Sequence, residues 1–244
     1  RTGKKQENGM EPIVINAPSL ANCNTLHIKE DIEQFRQAGV KYFHVDIMDG
    51  HYVPNLCFPL RFLKDLKEEY PDMILDVHMM VTNPIEYVDI MAEAGIDYLS
   101  FHEDSTPFVI RTLDRIRANG IKPGVVINPS QPVDVIKPYI DLVDMVTLMA
   151  VEPGFSGQKF MTRTIDRVEK LASLRKYSEN EFLINVDGAI NNVGVVPCVR
   201  RGANVIVTGV FTVFAQEDGI ISACHRFDET CKKGMADGFI GDAY

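Results

Sequence analysis

The chain has 244 residues, 45% of them hydrophobic and 24% charged, and a formal net charge of −9 at pH 7. This length matches one α/β barrel of about 250 residues. An acidic chain lacks the clustered positive charge that attracts nucleic acid or an anionic membrane, so the composition argues against both as partners. The five cysteines form no Cys-x-x-Cys pair, which predicts reduced thiols in a cytoplasmic protein rather than a disulfide framework or a thiolate zinc site.

The two ends of the chain differ from its middle. Residues 1–10 are polar and lack the apolar core of a secretory signal, which indicates a tag or a disordered extension. Residues 11–228 contain no linker or composition break and predict a single domain. Residues 229–244 lack clear periodicity, so the sequence leaves the structure of this tail open. No apolar segment approaches the ~20 residues that a membrane span needs.

Short apolar runs alternate with amphipathic stretches from residue 13 onward, which is typical of strands followed by helices. The predicted strands are 13–17, 42–47, 73–80, 98–102, 124–128, 145–149, 182–187 and 205–208. The predicted helices are 28–37, 59–69, 84–93, 107–119, 133–136, 162–175, 193–201 and one around Ile220. Strands that alternate with helices imply a parallel sheet, and eight such units imply a closed (β/α)8 TIM barrel. No Gly-x-Gly-x-x-Gly follows the first strand, which argues against a dinucleotide-binding fold.

Polar residues collect where the predicted strands end, the edge at which such barrels carry their function. Side-chain alternation places His44 and Asp46 on one face of the second strand, and Ser19, His78 and Asp187 end or follow other strands. Two imidazoles and two carboxylates at one rim predict a divalent metal site with nitrogen and oxygen ligands. Taken singly, each of these residues is more typical of a hydrogen-bonded core position.

Small residues follow the last three strands and predict an anion site. They are Gly154, Gly157, Gly188, Ala189, Gly209 and Val210. Backbone N–H groups in such loops can approach a phosphate closely, and the loops after the seventh and eighth strands are the usual phosphate site of these barrels. Each loop by itself is an ordinary glycine-containing turn. Together they reconcile an acidic chain with an anionic substrate.

Three methionines, Met48, Met80 and Met149, lie at strand ends. Methionine is usually a core filler. At these positions the three side chains could instead form an apolar cap that keeps water away from a reactive intermediate.

Several segments resemble the ribulose-phosphate 3-epimerase family over residues 13–225. They are Pro-Ser-Leu at 18–20, His-Val-Asp-Ile-Met-Asp-Gly-His-Tyr-Val-Pro-Asn at 44–55, Leu-Asp-Val-His-Met-Met at 75–80, Asn-Pro at 128–129, the run from 149 to 160 that contains Pro-Gly-Phe-Ser-Gly-Gln-Lys-Phe, and Val-Asp-Gly at 186–188. The resemblance implies a barrel that interconverts D-ribulose 5-phosphate and D-xylulose 5-phosphate and forms homo-oligomers, from dimers to hexamers.

The resemblance also implies roles for individual residues. His44, Asp46, His78 and Asp187 match the ligands of one divalent metal ion per subunit, which could be Zn, Fe, Mn or Co. Asp46 and Asp187 match the two acid/base carboxylates that remove and deliver a proton at C3, Ser19 and His78 match substrate contacts, and the three methionines match the family's cap.

Some positions depart from the family pattern. Residues 21–24 are Ala-Asn-Cys-Asn after Leu20, where the family usually continues Ser-Ala-Asp, and Val210 replaces a serine or threonine. Ser156 stands where glycine or alanine is frequent, and Ala189 where glycine is common.

A relative that epimerises D-allulose 6-phosphate would share all of these metal-ligand and acid/base residues. A lyase of the hexulose-phosphate synthase kind would need a strand-end lysine, and a non-catalytic sugar-phosphate sensor would have no use for two opposed carboxylates.

Overall fold

The computed structural model describes residues 14–236. The predicted extension at 1–10 and the last part of the tail, 237–244, lie outside the described residues. No helix within 14–236 is long and apolar enough to cross a membrane.

One sheet contains all nine strands of the described part, and eight of them run parallel. The strands are β1 (Ile15–Pro18), β2 (Tyr42–Asp49), β3 (Leu56–Cys57), β4 (Ile74–Met80), β5 (Tyr98–His102), β6 (Lys122–Ile127), β7 (Met145–Met149), β8 (Leu183–Asp187) and β9 (Val205–Thr208). They pair in the order β1-β9-β8-β7-β6-β5-β4-β2, with β3 added antiparallel to β2. A parallel bridge between Ser19 and His44 closes the sheet. The predicted (β/α)8 barrel is confirmed.

Helical segments follow each of the eight parallel strands. The α-helices are α1 (Ile28–Gln37), α2 (Arg61–Glu69), α3 (Val88–Glu93), α4 (Val109–Ala118), α5 (Thr164–Arg175), α6 (Asn192–Arg200) and α7 (Gly219–Ala236). Short 3-10 segments cover Leu20–Asn22, Pro84–Tyr87, Glu103–Ser105 and Val133–Leu142. The helix predicted at 133–136 is therefore too short, and it is not an α-helix. The 3-10 segment contains Pro138, which has no N–H to donate, and its backbone is kinked at Tyr139.

The last helix accounts for part of the tail that the sequence left open. α7 continues to Ala236, and its buried positions, Ile220, Ala223, Cys224, Phe227, Cys231 and Gly234, recur at helical spacing. A Cβ at Gly234 would lie 3.2 Å from the Val199 side chain of α6. The glycine therefore lets the two helices approach closely.

The barrel wall separates an apolar shell from a polar interior. The outward face of β2 (Phe43, Val45 and Ile47) packs against the helices within one large cluster of buried side chains. The inward faces of β2 and β4 carry polar residues instead, and His44 on β2 and Asp76 on β4 are at most 1% exposed. Alternation along each strand repeats this inward and outward arrangement around the barrel. The inward side chains near the carboxyl ends of the strands therefore face one another.

Candidate active site

Four side chains meet at the carboxyl end of the barrel: His44 and Asp46 on β2, His78 on β4 and Asp187 at the end of β8. One potential ligand atom from each lies within 4.8 Å of all the others. Asp46 Oδ1 is 3.4 Å from His44 Nε2 and 3.3 Å from His78 Nδ1. Asp187 Oδ2 is 3.5 Å and 3.3 Å from the same two nitrogens. The structure thus brings together the four residues that the sequence predicts as metal ligands.

The atoms that face one another in this group fit a divalent cation. His44 Nε2 and His78 Nδ1 are buried and have no hydrogen-bond partner among the described residues. A buried polar atom without a partner is unfavourable, and a cation between the two nitrogens and the two carboxylates would pair with all four. Nitrogen and oxygen donors of this kind suit zinc and other first-row divalent ions. The group is a possible metal-binding site.

Mutual electrostatics shift the pKa values of all four groups. Burial alone would raise the pKa of Asp46, but the charge of His44 and close contacts with both histidines hold it well below its ordinary value. Asp187 is partly buried, which by itself would raise its pKa, but its contacts with the two histidines lower the pKa. The carboxylates conversely raise the pKa values of His44 and His78 against the effect of burial. Since a histidine must be unprotonated to ligate a metal, a bound cation would displace these protons.

Asp76 lies behind His44 and was not identified from the sequence. Its Oδ2 is 2.8 Å from His44 Nδ1, and its side chain is fully buried. A carboxylate at Nδ1 keeps the proton on that nitrogen and leaves the Nε2 lone pair for the site. The signal was present in the sequence, because Asp76 precedes His78 by two residues and so shares its face of the strand.

His102, at the end of β5, lies behind His78 in the same way and was also missed. The two Nε2 atoms are 2.8 Å apart, and the Tyr52 ring packs on His102 with 4.6 Å between ring centroids. Burial and the neighbouring charge of His78 hold the pKa of His102 well below its ordinary value. Both effects favour the neutral form of His102. The rule that singled out polar residues at strand ends applied to this position as well.

A cavity of about 310 Å³ opens above the four residues. Every residue predicted to contact substrate lines it: Ser19, Met48, His78, Met80, Met149, Gly154, Gly157, Gly188, Ala189, Gly209 and Val210. Ser19 Oγ donates a hydrogen bond of 2.7 Å to Asp46 Oδ2, the carboxylate oxygen that faces away from the histidines. The cavity has the size and the mixed lining of a small-molecule site.

Comparison with known proteins agrees with this geometry. The sequence profile described as the Ribulose-phosphate 3 epimerase family matches residues 15–214. The chain belongs to the ribulose-phosphate 3-epimerase family. It is 36% identical over 204 residues to the ribulose-phosphate 3-epimerase of Bacillus subtilis strain 168, covering 83% of this chain and 93% of that protein. The protein of the same name from Methanocaldococcus jannaschii is also 36% identical, over 226 residues that cover 93% of this chain and 94% of that protein. The predicted enzyme class, a carbohydrate epimerase, is confirmed.

Two solved structures resemble this family member in fold. A 3-hexulose-6-phosphate synthase from Salmonella typhimurium superposes with a TM-score of 0.65 at 14% identity, covering 91% of this chain and all of the other. A mutant tryptophan synthase α-subunit from Pyrococcus furiosus gives a TM-score of 0.63 at 13% identity, with 93% and 98% covered. At this identity the likeness concerns the barrel alone. No lysine is among the described residues that line the cavity, which removes the feature expected of a lyase.

The loops after β8 and β9 show how this family member departs from the common pattern. Gly188 has φ 119°, and an added Cβ would lie 2.6 Å from Val151 Cγ2, so only glycine fits there. Ala189 has φ 51°, a left-handed conformation that favours glycine and costs an alanine about 1–2 kcal/mol. The strain is the cost of carrying alanine where the family resemblance leads us to expect glycine. After β9, the Gly209 N–H already donates to Thr212 Oγ1 at 3.1 Å, and Val210 adds no hydroxyl.

The segment 49–55, which the sequence placed at the rim or in a subunit contact, forms a roof segment beside the site, and its Asn55 lines the cavity. Asp49 Oδ1 accepts hydrogen bonds from the N–H groups of His51 and Tyr52, and Oδ2 accepts from the N–H and hydroxyl of Thr82. At the far end, the Asn55 amide donates to the Gly154 carbonyl at 2.8 Å. The segment is therefore tied to the loops after β4 and β7.

Proposed function

We propose that the chain is a metal-dependent 3-epimerase of a ketose phosphate, with D-ribulose 5-phosphate and D-xylulose 5-phosphate as its foremost substrate pair. The observation that carries the proposal is the pair of carboxylates, Asp46 on β2 and Asp187 on β8, that converge on the two histidines from non-adjacent strands. Inversion at C3 requires that one group removes a proton from one face and another delivers a proton to the opposite face. Two opposed carboxylates in one cavity can perform both steps.

Catalysis then requires that the two carboxylates differ in protonation state when substrate is bound, although the two histidines lower the pKa of both in the free site. One of Asp46 and Asp187 is ionised and takes the C3 proton, while the other is protonated and donates to the opposite face, so that the pair titrates as a coupled unit. The hydrogen bond from Ser19 Oγ fixes the rotamer of Asp46. A divalent cation held by His44, Asp46, His78 and Asp187 would polarise the ketone oxygen and stabilise negative charge that develops there. Zn, Fe, Mn and Co all suit this donor set.

The rest of the cavity suits a phosphorylated ketose. The backbone of the loops that contain Gly154, Gly188 and Val210 would receive the phosphate, and the N–H of Val210 would take the place of the missing hydroxyl. Met48, Met80 and Met149 line the cavity around the reacting centre. Met80 and Met149 are at most 3% exposed, so their side chains would exclude water from the enediolate formed by proton removal.

A hexulose phosphate such as D-allulose 6-phosphate is the second candidate substrate. It is favoured by the departures at residues 21–24 and 210, because Ala21, Asn22 and Val210 all line the cavity. Assembly into a homo-oligomer, from a dimer to a hexamer, and a cytoplasmic location remain predictions from the sequence and the family resemblance. A non-catalytic sugar-phosphate sensor is less favoured, since it would gain nothing from two opposed carboxylates.

Proton exchange in deuterium oxide tests the proposal. Each ketose phosphate is incubated with the enzyme, and early product and recovered substrate are analysed at C3 by NMR. Two-base transfer predicts deuterium in the product and little in the recovered substrate, whereas a single base would return part of the original proton to the product. Deuterium with the hexulose phosphate alone would replace the pentulose assignment. No deuterium with either compound, despite bound metal, would refute an epimerase function.

Two further arms isolate the residues and the metal. Incubation with a chelator should abolish exchange, and added Zn²⁺, Mn²⁺ or Co²⁺ should restore it. Asp187→Asn should keep the fold and reduce turnover by several orders of magnitude. Asp114→Asn, at an exposed position of α4, serves as the matched control. Near-normal turnover of Asp187→Asn would remove that residue from acid/base catalysis.

A further inference from the structure

The two site histidines present different nitrogens to the carboxylates. His44 presents Nε2 and His78 presents Nδ1. A neutral imidazole carries its proton on one nitrogen and a lone pair on the other, so each ring must adopt the opposite tautomer from its neighbour. Asp76 sets the tautomer of His44, because its carboxylate accepts a hydrogen bond from the Nδ1–H group. Behind His78 lies a second imidazole, His102, which could either donate or accept.

Asp104 removes this ambiguity at the far end of a hydrogen-bond chain. A carboxylate can only accept, and the groups that meet that of Asp104 are the Tyr52 hydroxyl, 2.7 Å from Oδ1, and the Asn128 side chain, 3.1 Å from Oδ2. The end of Asn128 that faces Asp104 must therefore be its NH₂ group. The same NH₂ donates to the Tyr52 oxygen at 2.7 Å, since the hydroxyl proton is directed to Asp104. The orientation of the Asn128 amide follows from these contacts.

The opposite end of Asn128 then determines the proton position on His102. With its NH₂ turned to Asp104, Asn128 can offer only Oδ1 to the neighbouring His102 ring. Asn128 Oδ1 and His102 Nδ1 are both buried, and neither has a hydrogen-bond partner in the described part of the chain. A proton on His102 Nδ1 directed at Asn128 Oδ1 would satisfy both atoms. This pairing favours a proton on His102 Nδ1 and a lone pair on Nε2. That lone pair accepts a hydrogen bond from His78 Nε2, which lies 2.8 Å away.

We propose that His102 and Asn128 are positioning residues that set the tautomer of His78. The chain of hydrogen bonds runs from His78 through His102 and Asn128 to Asp104, with Tyr52 as a bridge. It keeps the proton of His78 on Nε2 and leaves the Nδ1 lone pair directed at Asp46 and Asp187. Asp76 and Asp104 thus control the two histidines by different means, one through a direct carboxylate and the other through two neutral side chains. The inference rests on the proposed function in assigning a cation to His78.

The direct test is ¹⁵N NMR of the imidazole groups in the Zn²⁺-loaded wild-type enzyme. We expect His78 Nε2 protonated, Nδ1 bound to zinc, His102 protonated on Nδ1 alone, and a scalar coupling across the hydrogen bond between the two Nε2 atoms. A proton on His102 Nε2, or zinc at His78 Nε2, would overturn the inference and leave the proposed function intact. Failure of Zn²⁺ to bind the wild-type protein would refute the metal assignment itself.

Variants of His102 supply a second readout, the Zn²⁺ dissociation constant measured by competition with a chelator. His102→Phe retains a ring of similar size but offers no acceptor, and it should weaken Zn²⁺ binding by about 10–100-fold, as the loss of other groups behind metal ligands does. His102→Gln can restore an acceptor and should recover most of the affinity. His225→Phe, at an exposed histidine of α7, is the matched control. Equal Zn²⁺ affinity for the Phe and Gln variants of His102 would contradict a role through hydrogen bonding.

Discussion

Replacement of Asp76 by asparagine tests how the barrel interior controls the metal site. The carboxylate is fully buried, 2.8 Å from His44 Nδ1, and therefore about 7 Å from a cation bound at Nε2 across the ring. At that separation a unit charge contributes about 2.4 kcal/mol to cation binding, for an effective dielectric constant of about 20. This equals a change of about 60-fold in affinity and falls within the 10–100-fold range typical of such partners. Asp76→Asn keeps an acceptor for His44 but removes the charge.

The measurement is the Zn²⁺ dissociation constant of the metal-free protein by chelator competition at pH 8, with circular dichroism as the check of folding. Thr147→Val is the matched control, because it removes a buried polar group from the same barrel interior without contacting the four ligands. It should leave Asn185 without its 3.2 Å hydrogen bond and lower stability by about 1–3 kcal/mol, with no effect on Zn²⁺ affinity. An unchanged dissociation constant in folded Asp76→Asn would refute the electrostatic argument.

Three other predictions follow from local geometry. Gly188→Ala should lower the free energy of unfolding by about 2–5 kcal/mol in urea titrations, because its Cβ would clash with Val151 and its φ is 119°; Gly157→Ala, with positive φ but open space, should cost only about 1 kcal/mol. Ala189→Gly should relieve backbone strain and leave stability unchanged or raised by up to about 1 kcal/mol, and a clear loss of stability would contradict the strain. Asp49→Asn should destabilise the protein at neutral pH by loosening the roof segment 49–55. Four hydrogen bonds lower the pKa of this carboxyl from 3.8 to about 2, so its contribution to stability should be complete above about pH 5 and lost between about pH 4 and pH 2. The difference in unfolding free energy from wild type should therefore shrink when unfolding is repeated at pH 3.

The roof segment shows where sequence reasoning stopped. Its residues have no periodicity, and they bond to Thr82, Gly154, Asp104 and Asn128. These partners lie 33 or more positions away in the chain. Hydrogen bonds between loops that follow different strands depend on how the barrel places those loops. Local secondary-structure propensity does not predict that placement.

Secondary structure was predictable where a single periodicity governed the segment. The inward and outward faces of β2 follow from alternation alone, so His44 and Asp46 could be assigned to the interior. The segment at 133–142 was misjudged because a short apolar pattern with an internal proline is compatible with several helical geometries. The helical continuation at 229–236 was missed although its buried positions recur at helical spacing, because Gly234 weakens the local preference for helix and only packing against α6 compensates.

The sequence by itself determined the barrel, the rim at which function lies and the four residues that could hold a cation. The periodicity of each strand and the succession of strands along the chain can be read from the sequence, and parallel pairing brings the carboxyl ends of those strands to one rim. Tertiary structure alone decided which nitrogen of each histidine faces the site, since that depends on partners on other strands and loops: Asp76 behind His44, and His102, Asn128 and Asp104 behind His78. A tautomer is a property of a hydrogen-bond network rather than of a residue, and such a network exists only once the chain has folded.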